Sequence, residues 1–331
     1  MNYTAMKKNR IVLSGIRPTG KLHIGNYLGA LQHFVALQNE YSCYFFIADL
    51  HSLNENHDPK KKREQTLNLA ADYLAAGIDP KKCTFFLQSK VPEHSEFAIL
   101  LSNIVPVSYL FRMTQFKEKS SEKEKKNVNA GLLYYPILMA SDILLYKTTD
   151  VPVGHDQKQH VEFARDIARF FNNAYGKALT EPEAIFTQSP KIMSLTSPDK
   201  KMSASEGEAN VINIDDEPAI IRKKIARAVT DTGDGKSTGA KNLLELLRIY
   251  GQEKEYEKFR SQMQDGDIRY SELKALLSDE IIKYFSKFRE KKRDLMKNPK
   301  IVEQALLSGS EKARKTAKET LFSIKAKIGL L

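Results

Sequence analysis

His23, Gly25 and Asn26 end the segment SGIRPTGKLHIGN, residues 14–26, and their types suit the handling of phosphate. The segment follows the apolar strand Ile11-Val12-Leu13 and feeds a run whose apolar positions Leu28, Leu31, Phe34 and Val35 recur at helical spacing. Strand, glycine-rich turn and helix N-terminus together build an anion cradle from backbone amides and the helix dipole. The turn lacks GK[ST], so it is not a Walker loop; a histidine lies where phosphates would sit. His23 can donate a hydrogen bond to such oxygens, and Gly25, with no Cβ, lets a nucleotide approach the backbone. A second group, Lys201-Met202-Ser203-Ala204-Ser205, falls in an irregular stretch with two prolines and several serines. A lysine on a mobile loop can close over charge that builds on phosphate oxygens.

A third constellation lies in GLLYYPILMASDILLY, where Tyr135, Met139 and Asp142 stand at i, i+4 and i+7 and share a face if the segment is helical. Asp142 is the only formal charge between Ala130 and Tyr146. A buried carboxylate is costly without a partner. Two readings stand side by side. Asp142 pairs with an arginine elsewhere or caps a neighbouring element, or it accepts a ligand N–H in an aromatic-lined pocket. Tryptophan is such a ligand, because its indole nitrogen only donates.

These residues need a scaffold. Strands are expected at 11–16, 43–48, 84–88 and 150–153, with helices at about 25–39, at 60–76 ending on Gly77, and at 156–175 ending on Gly176. Strands alternating with such helices predict a Rossmann-like, doubly wound parallel sheet, an α/β fold whose ligands bind beyond the carboxyl ends of the strands. Residues 93–146 read as a helical insertion, broken by the charged loop 117–127. The chain is irregular after 187 and helical from 215, with Asp215 or Asp216 as N-cap and Pro218 in the first turn. The expected division is a catalytic domain at 1–205 and a helical domain at 206–331.

The 331 residues carry 41% hydrophobic and 28% charged side chains, as in ordinary globular chains. No apolar run reaches membrane-spanning length and no signal-peptide core opens the chain, so a cytoplasmic location is expected. Cys43 and Cys83 lie in separate apolar runs without a CxxC partner, which predicts buried thiols and no metal site. Net charge is +11, and residues 281–331 hold fourteen Lys or Arg against five Asp or Glu. That asymmetry fits either a polyanion partner or a solvated lysine-rich face.

HIGN and KMSAS, in this order, resemble the HIGH and KMSKS signatures of class I aminoacyl-tRNA synthetases. With SGIRPTG, RMTQFK, AGLLYYP, ASDILLY and VPVGHDQKQH they resemble the tryptophanyl family of bacterial type from about Leu13 to Ser205. The resemblance implies activation of L-tryptophan with ATP and transfer of the tryptophanyl group to tRNA(Trp). Magnesium would arrive with ATP, without dedicated protein ligands. It implies catalytic roles for His23, Lys201, Lys117 and Lys119, the last two compensating for Ala204 where the standard loop has a lysine. ATP would meet Arg17, Thr19, Gly25, Asn26, Lys201, Met202, Ser203 and Ser205. Asp142 would accept the indole N–H, Met139, Val151 and Val153 would line the ring pocket, and Tyr135 and Gln157 would hold the ammonium group. Asp156 would cap the following helix, and His94, His155 and His160 would be structural or solvent-facing. The resemblance further implies a homodimer meeting around 93–146 and an anticodon-binding C-terminal domain. A tyrosyl enzyme and a non-catalytic tRNA-binding paralogue are the alternatives, the second supported by Ala204.

Overall fold

The structure, a computed structural model, describes residues 9–54, 57–119, 129–154, 157–186, 190–204, 207–230 and 237–331. In chain order its elements are β1 (Ile11–Ile16), α1 (Ile24–Asn26), a π-helical turn (Tyr27–Leu31), α2 (Gln32–Leu37), β2 (Ser42–Ile47), α3 (Pro59–Ala76), β3 (Thr84–Leu87), α4 (Glu93–Ser102), α5 (Val107–Phe111), α6 (Thr114–Lys119), α7 (Ala130–Leu144), β4 (Asp150–Val153), α8 (Lys158–Tyr175) and β5 (Glu183–Phe186). The helices α9 (Pro218–Ala226), α10 (Thr238–Tyr250), α11 (Glu253–Asp265), α12 (Tyr270–Tyr284), α13 (Ser286–Lys297) and α14 (Pro299–Lys327) follow. No helix among the described residues is long and apolar enough to cross a membrane.

The chain forms two compact units, and neither follows the expected cut at 205. The first comprises the described parts of Met1–Thr19, Gln32–Thr187 and Asn298–Leu331; the second comprises Gly20–Leu31 and Gln188–Lys297. In the first, five parallel strands run in the order β3-β2-β1-β4-β5. The order reverses at β1, so the carboxyl ends of β1 and β4 flank the switch point of a doubly wound sheet. Buried Val12, Leu13, Phe45, Ile47, Phe85 and Phe86 account for the apolar runs read as strands. Gly77 closes α3 in the left-handed region with φ 115°, as its position suggested.

The last helix explains why the expected C-terminal domain is divided. α14 packs on β3, and a Cβ at Gly309 would lie 1.7 Å from the Phe85 carbonyl oxygen, so only glycine admits this approach. Ser310 Oγ accepts the Leu87 N–H at 3.2 Å, which covers the edge of the sheet. Ala313, Ala317, Leu321 and Ile324 complete the same core as β2 and α7. The basic excess at 281–331 is therefore shared between units. Part of it is engaged: Arg314 pairs with Glu93 at 3.0 Å, Lys325 with Glu96 at 2.7 Å, and Lys292 with Asp215 at 2.8 Å.

Other expectations need adjustment. The helix expected at 25–39 is interrupted by the π turn, and β5 was missed because EAIF is short and half-exposed at the sheet edge. α6 extends to Lys119, so Lys117 and Lys119 sit on a helix rather than in the loop; residues 120–128 lie outside the described residues. Glu217 caps α9 without a side-chain bond. Asp216 instead receives Lys224 Nζ at 2.7 Å and the Asn213 N–H at 3.0 Å, and Asp215 receives Lys292.

Candidate active site

In the second unit, His23 caps the turn that it opens. Its Nδ1 accepts the N–H groups of Gly25 at 3.1 Å and Asn26 at 3.3 Å, while Asn26 Oδ1 accepts the His23 N–H at 3.2 Å. This reciprocal capping box fixes the ring and its tautomer: with Nδ1 accepting, the ring proton is assigned to Nε2, a donor suited to phosphate oxygen. The same bonds correct an expectation. The amides of Gly25 and Asn26 serve His23, and Asn26 is a local clasp as well as a candidate nucleotide contact. Gly25 has a second purpose, because a Cβ there would lie 3.0 Å from the His23 ring.

Burial pulls the His23 pKa down to about 4, and the Lys201 ammonium adds to the effect. The unfolded chain would take up a proton near pH 6.5 that the folded chain refuses. The stability contributed by neutral His23 is thus full above pH 6.5 and is lost as pH falls from 6.5 toward 4. We expect urea titrations of the wild type to lose more stability between pH 7 and pH 4.5 than those of His23→Gln. Equal losses would show that His23 does not hold this pKa.

Both signatures are stitched to one segment. His23 forms an antiparallel bridge with Asn213, and Ile24 N–H donates to Ile212 O at 2.9 Å. Lys201 bridges Met193, and Met202 N–H donates to Ile192 O at 2.9 Å. Leu195 N–H to Asn210 O at 3.1 Å joins the two strips. Asn242 of α10 holds the carbonyls of Met193 and Ser194, each at 3.2 Å, from behind. Lys201 is exposed, Ser203 half-exposed, and Met202 fully buried, which makes Met202 the anchor of the loop. Ser205 lies outside the described residues.

In the first unit, Arg17 and Thr19 follow the carboxyl end of β1 and Gln157 follows that of β4. Arg17 and Thr19 are exposed just past β1, in a tight turn closed by Thr19 N–H to Arg17 O at 2.9 Å. Gln157 is the half-buried N-cap of α8; Asp156, expected to cap that helix, and His155 lie outside the described residues. Met139, Val151 and Val153 all join one hydrophobic cluster. Lys117 is exposed on α6, and Lys119 ends that helix.

α7 carries Tyr135, Met139 and Asp142 on one helix, as their spacing required. Tyr135 Oη lies 2.7 Å from His160 Nε2, both buried. Asp142 is 1% exposed and its partner is not an arginine. His51 Nε2 meets Oδ2 at 2.8 Å, His94 Nδ1 meets Oδ1 at 2.5 Å, and Gln88 Nε2 donates to both oxygens at 2.9 Å. Burial alone would raise the carboxyl pKa, but His94 and His51 hold it down at about 2. Asp142 is therefore an ionised, acceptor-only group inside an apolar helix. His94 and His160, expected to be structural or solvent-facing, are both buried. Gln88, His51 and His94 were legible only as isolated polar residues, because their common partner is 48 to 91 positions away.

The profile of the family described as tRNA synthetases class I (W and Y) matches residues 5–320. A relative from Caldanaerobacter subterraneus subsp. tengcongensis, named tryptophan--tRNA ligase, is 45% identical, covering 97% of this chain and 98% of its own. One of the same name from Clostridium perfringens is 43% identical over 98% of both chains. Among solved structures, tryptophanyl-tRNA synthetase from Campylobacter jejuni complexed with ADP and tryptophan aligns with a TM-score of 0.86 at 37% identity, covering 96% of this chain and 99% of that one. The chain belongs to the class I tRNA synthetases of the W and Y family.

Proposed function

We propose that the chain activates L-tryptophan with ATP and passes the tryptophanyl group to tRNA(Trp). The observation that carries this reading is Asp142, an ionised acceptor on the apolar helix α7, whose Met139 shares a hydrophobic cluster with Val151 and Val153. The names of the relatives favour tryptophan over tyrosine. Tryptophan would place its ring against those apolar side chains and its indole N–H on Asp142, with Tyr135 and Gln157 at the ammonium group. Its carboxylate oxygen attacks the α-phosphorus of ATP, forming the acyl–phosphate bond as the bond to the bridging oxygen breaks and pyrophosphate leaves. His23 Nε2–H and Lys201 meet the charge that develops on the departing group, and Lys117 and Lys119 supply the charge that Ala204 lacks. Arg17, Thr19, Gly25, Asn26, Ser203 and Ser205 bind ATP, with Met202 anchoring the loop. ATP carries magnesium with it, and no side chain is assigned to the ion. The terminal ribose hydroxyl of the tRNA then attacks the activated carbonyl, and AMP leaves.

The helices from 215 to 297, with outward lysines of α14, are the part we assign to tRNA. A cytoplasmic location goes with that substrate. For the homodimer, Ile99, Val107 and Phe111 on α4 and α5 are 58%, 56% and 48% exposed, whereas Phe97 and Leu101 are core. Ile99→Glu with Phe111→Glu is expected to halve the mass seen by sedimentation; an unchanged mass would place the interface elsewhere. The proposed function itself is tested by charging. The purified chain should attach labelled tryptophan to bacterial tRNA in an ATP-dependent way, and binding of tRNA without charging would favour the non-catalytic paralogue.

A further inference from the structure

In the second unit, Lys224 lies in the last turn of α9 with its side chain 11% exposed, and its ammonium joins two carboxylates. Nζ donates to Asp216 Oδ2 at 2.7 Å and to Glu208 Oε2 at 3.3 Å. Asn213 Nδ2 reaches the same two side chains, Glu208 Oε2 at 3.0 Å and Asp216 Oδ1 at 3.3 Å. Turned the other way, this amide would set its oxygen against both carboxylates, so Nδ2 is the atom that faces them. Each carboxylate leads to a different signature. Ile24 N–H to Ile212 O and Ile214 N–H to Leu22 O, both at 2.9 Å, flank the bridge between His23 and Asn213. In such a non-hydrogen-bonded pair the two side chains stand close on one face, and the Asn213 N–H and C=O point away from the strip. Asp216 takes both: its Oδ2 accepts that N–H at 3.0 Å, and its own N–H donates to the Asn213 carbonyl at 3.1 Å. Glu208 opens the short turn Glu208–Asn210 behind the second signature, and Gly207 N–H to Ala204 O at 3.1 Å ties that turn to it.

We infer that Lys224 is a positioning residue for adenylate formation: it holds the HIGN and KMSAS signatures in register, so that His23 and Lys201 meet the same phosphates. The inference rests on the reading of His23 and Lys201 as the groups that stabilise the departing pyrophosphate. A donor and a cation that serve one leaving group must be placed together, and a displacement of about 1 Å costs about 10²-fold in rate. An ion pair that only stabilised the cap of α9 would need Asp216 alone. Lys224 instead reaches one carboxylate from the strip under His23 and one from the turn behind Lys201. Asp216 is buried, so that arm is rigid, whereas the Glu208 side chain is 73% exposed and forms the looser arm on the loop. Catalysis then depends on a residue that touches no ligand atom.

The test uses the full chain in ATP–pyrophosphate exchange, with kcat and both KM values measured below the melting transition of each variant. Lys224→Met should lower kcat about tenfold while the tryptophan KM stays within about twofold. Lys224→Arg keeps the charge and the donors and should recover most of that loss. The deciding readout is coupling to the second signature. If Lys224 places Lys201, then Lys201→Ala should cost about tenfold less in the Lys224→Met background than in the wild type. Removing one partner of a buried pair destabilises the fold, so Glu208→Ala provides a second route that leaves the pair with Asp216 intact. In that background the cost of Lys201→Ala should shrink by about threefold. Full additivity in every background that folds would overturn the inference and leave Lys224 as a stabilising ion pair. The reading beneath it fails separately: if Lys201→Ala alone leaves kcat unchanged, the phosphate role of the second signature is lost whatever Lys224 does.

Discussion

Asp142→Asn should lower kcat/KM for tryptophan by about 10²- to 10⁴-fold while the KM for ATP stays within about twofold. The substitution keeps size and shape but replaces one acceptor oxygen by an N–H₂. In this site that nitrogen faces His94, His51 or Gln88, all of which donate toward the carboxylate. A donor set against donors is worse than an empty place, because each buried N–H then loses its partner at about 1–3 kcal/mol. On the proposed reading, the indole N–H would lose its acceptor in the same step. Some stability must fall as well, so activity should be measured below the melting transition of the variant. An ATP KM that rises in parallel with the loss in kcat/KM would show general damage to the fold. Unchanged tryptophan activation would remove Asp142 from the site.

Lys201→Ala should reduce kcat of adenylate formation about 10²- to 10³-fold with little change in the KM for tryptophan. Lys201 is exposed beside its buried neighbour Met202, at a position paired with Met193, so its loss leaves the loop backbone in place. The missing charge matters when pyrophosphate departs, not when the amino acid binds. A second readout follows from electrostatics. The Lys201 ammonium helps to depress the His23 pKa, so its removal should raise that value from about 4 toward, but not up to, 6.5, with burial still holding it down. A change confined to tryptophan binding would contradict the role given to Lys201.

How far the sequence could be read differs between the two halves of this chemistry. The alternation of strands and helices placed the sheet, because β1 to β4 are apolar runs buried on both faces. The spacing of Tyr135, Met139 and Asp142 placed them on one helix for the same local reason. The partners of Asp142 were not legible, since His51 follows β2, Gln88 follows β3 and His94 lies on α4, and they meet Asp142 only after the sheet is assembled. Likewise, His23 and Gly25 read as a phosphate turn, but the capping of Gly25 and Asn26 by the imidazole depends on a ring orientation that spacing does not encode. The compact units differ from the expected division at 205 where long-range packing decides. Gly309 against Phe85 draws the last helix to the sheet, and the strips at 192–214 hold the first signature within the second unit.

Activation of tryptophan is the step on which every assigned role depends. ATP–pyrophosphate exchange by the purified chain, with tryptophan and tyrosine supplied separately at equal concentration, tests it most directly. Rapid exchange with tryptophan and background exchange with tyrosine are expected. Rapid exchange with tyrosine alone, or background exchange with both, would contradict it.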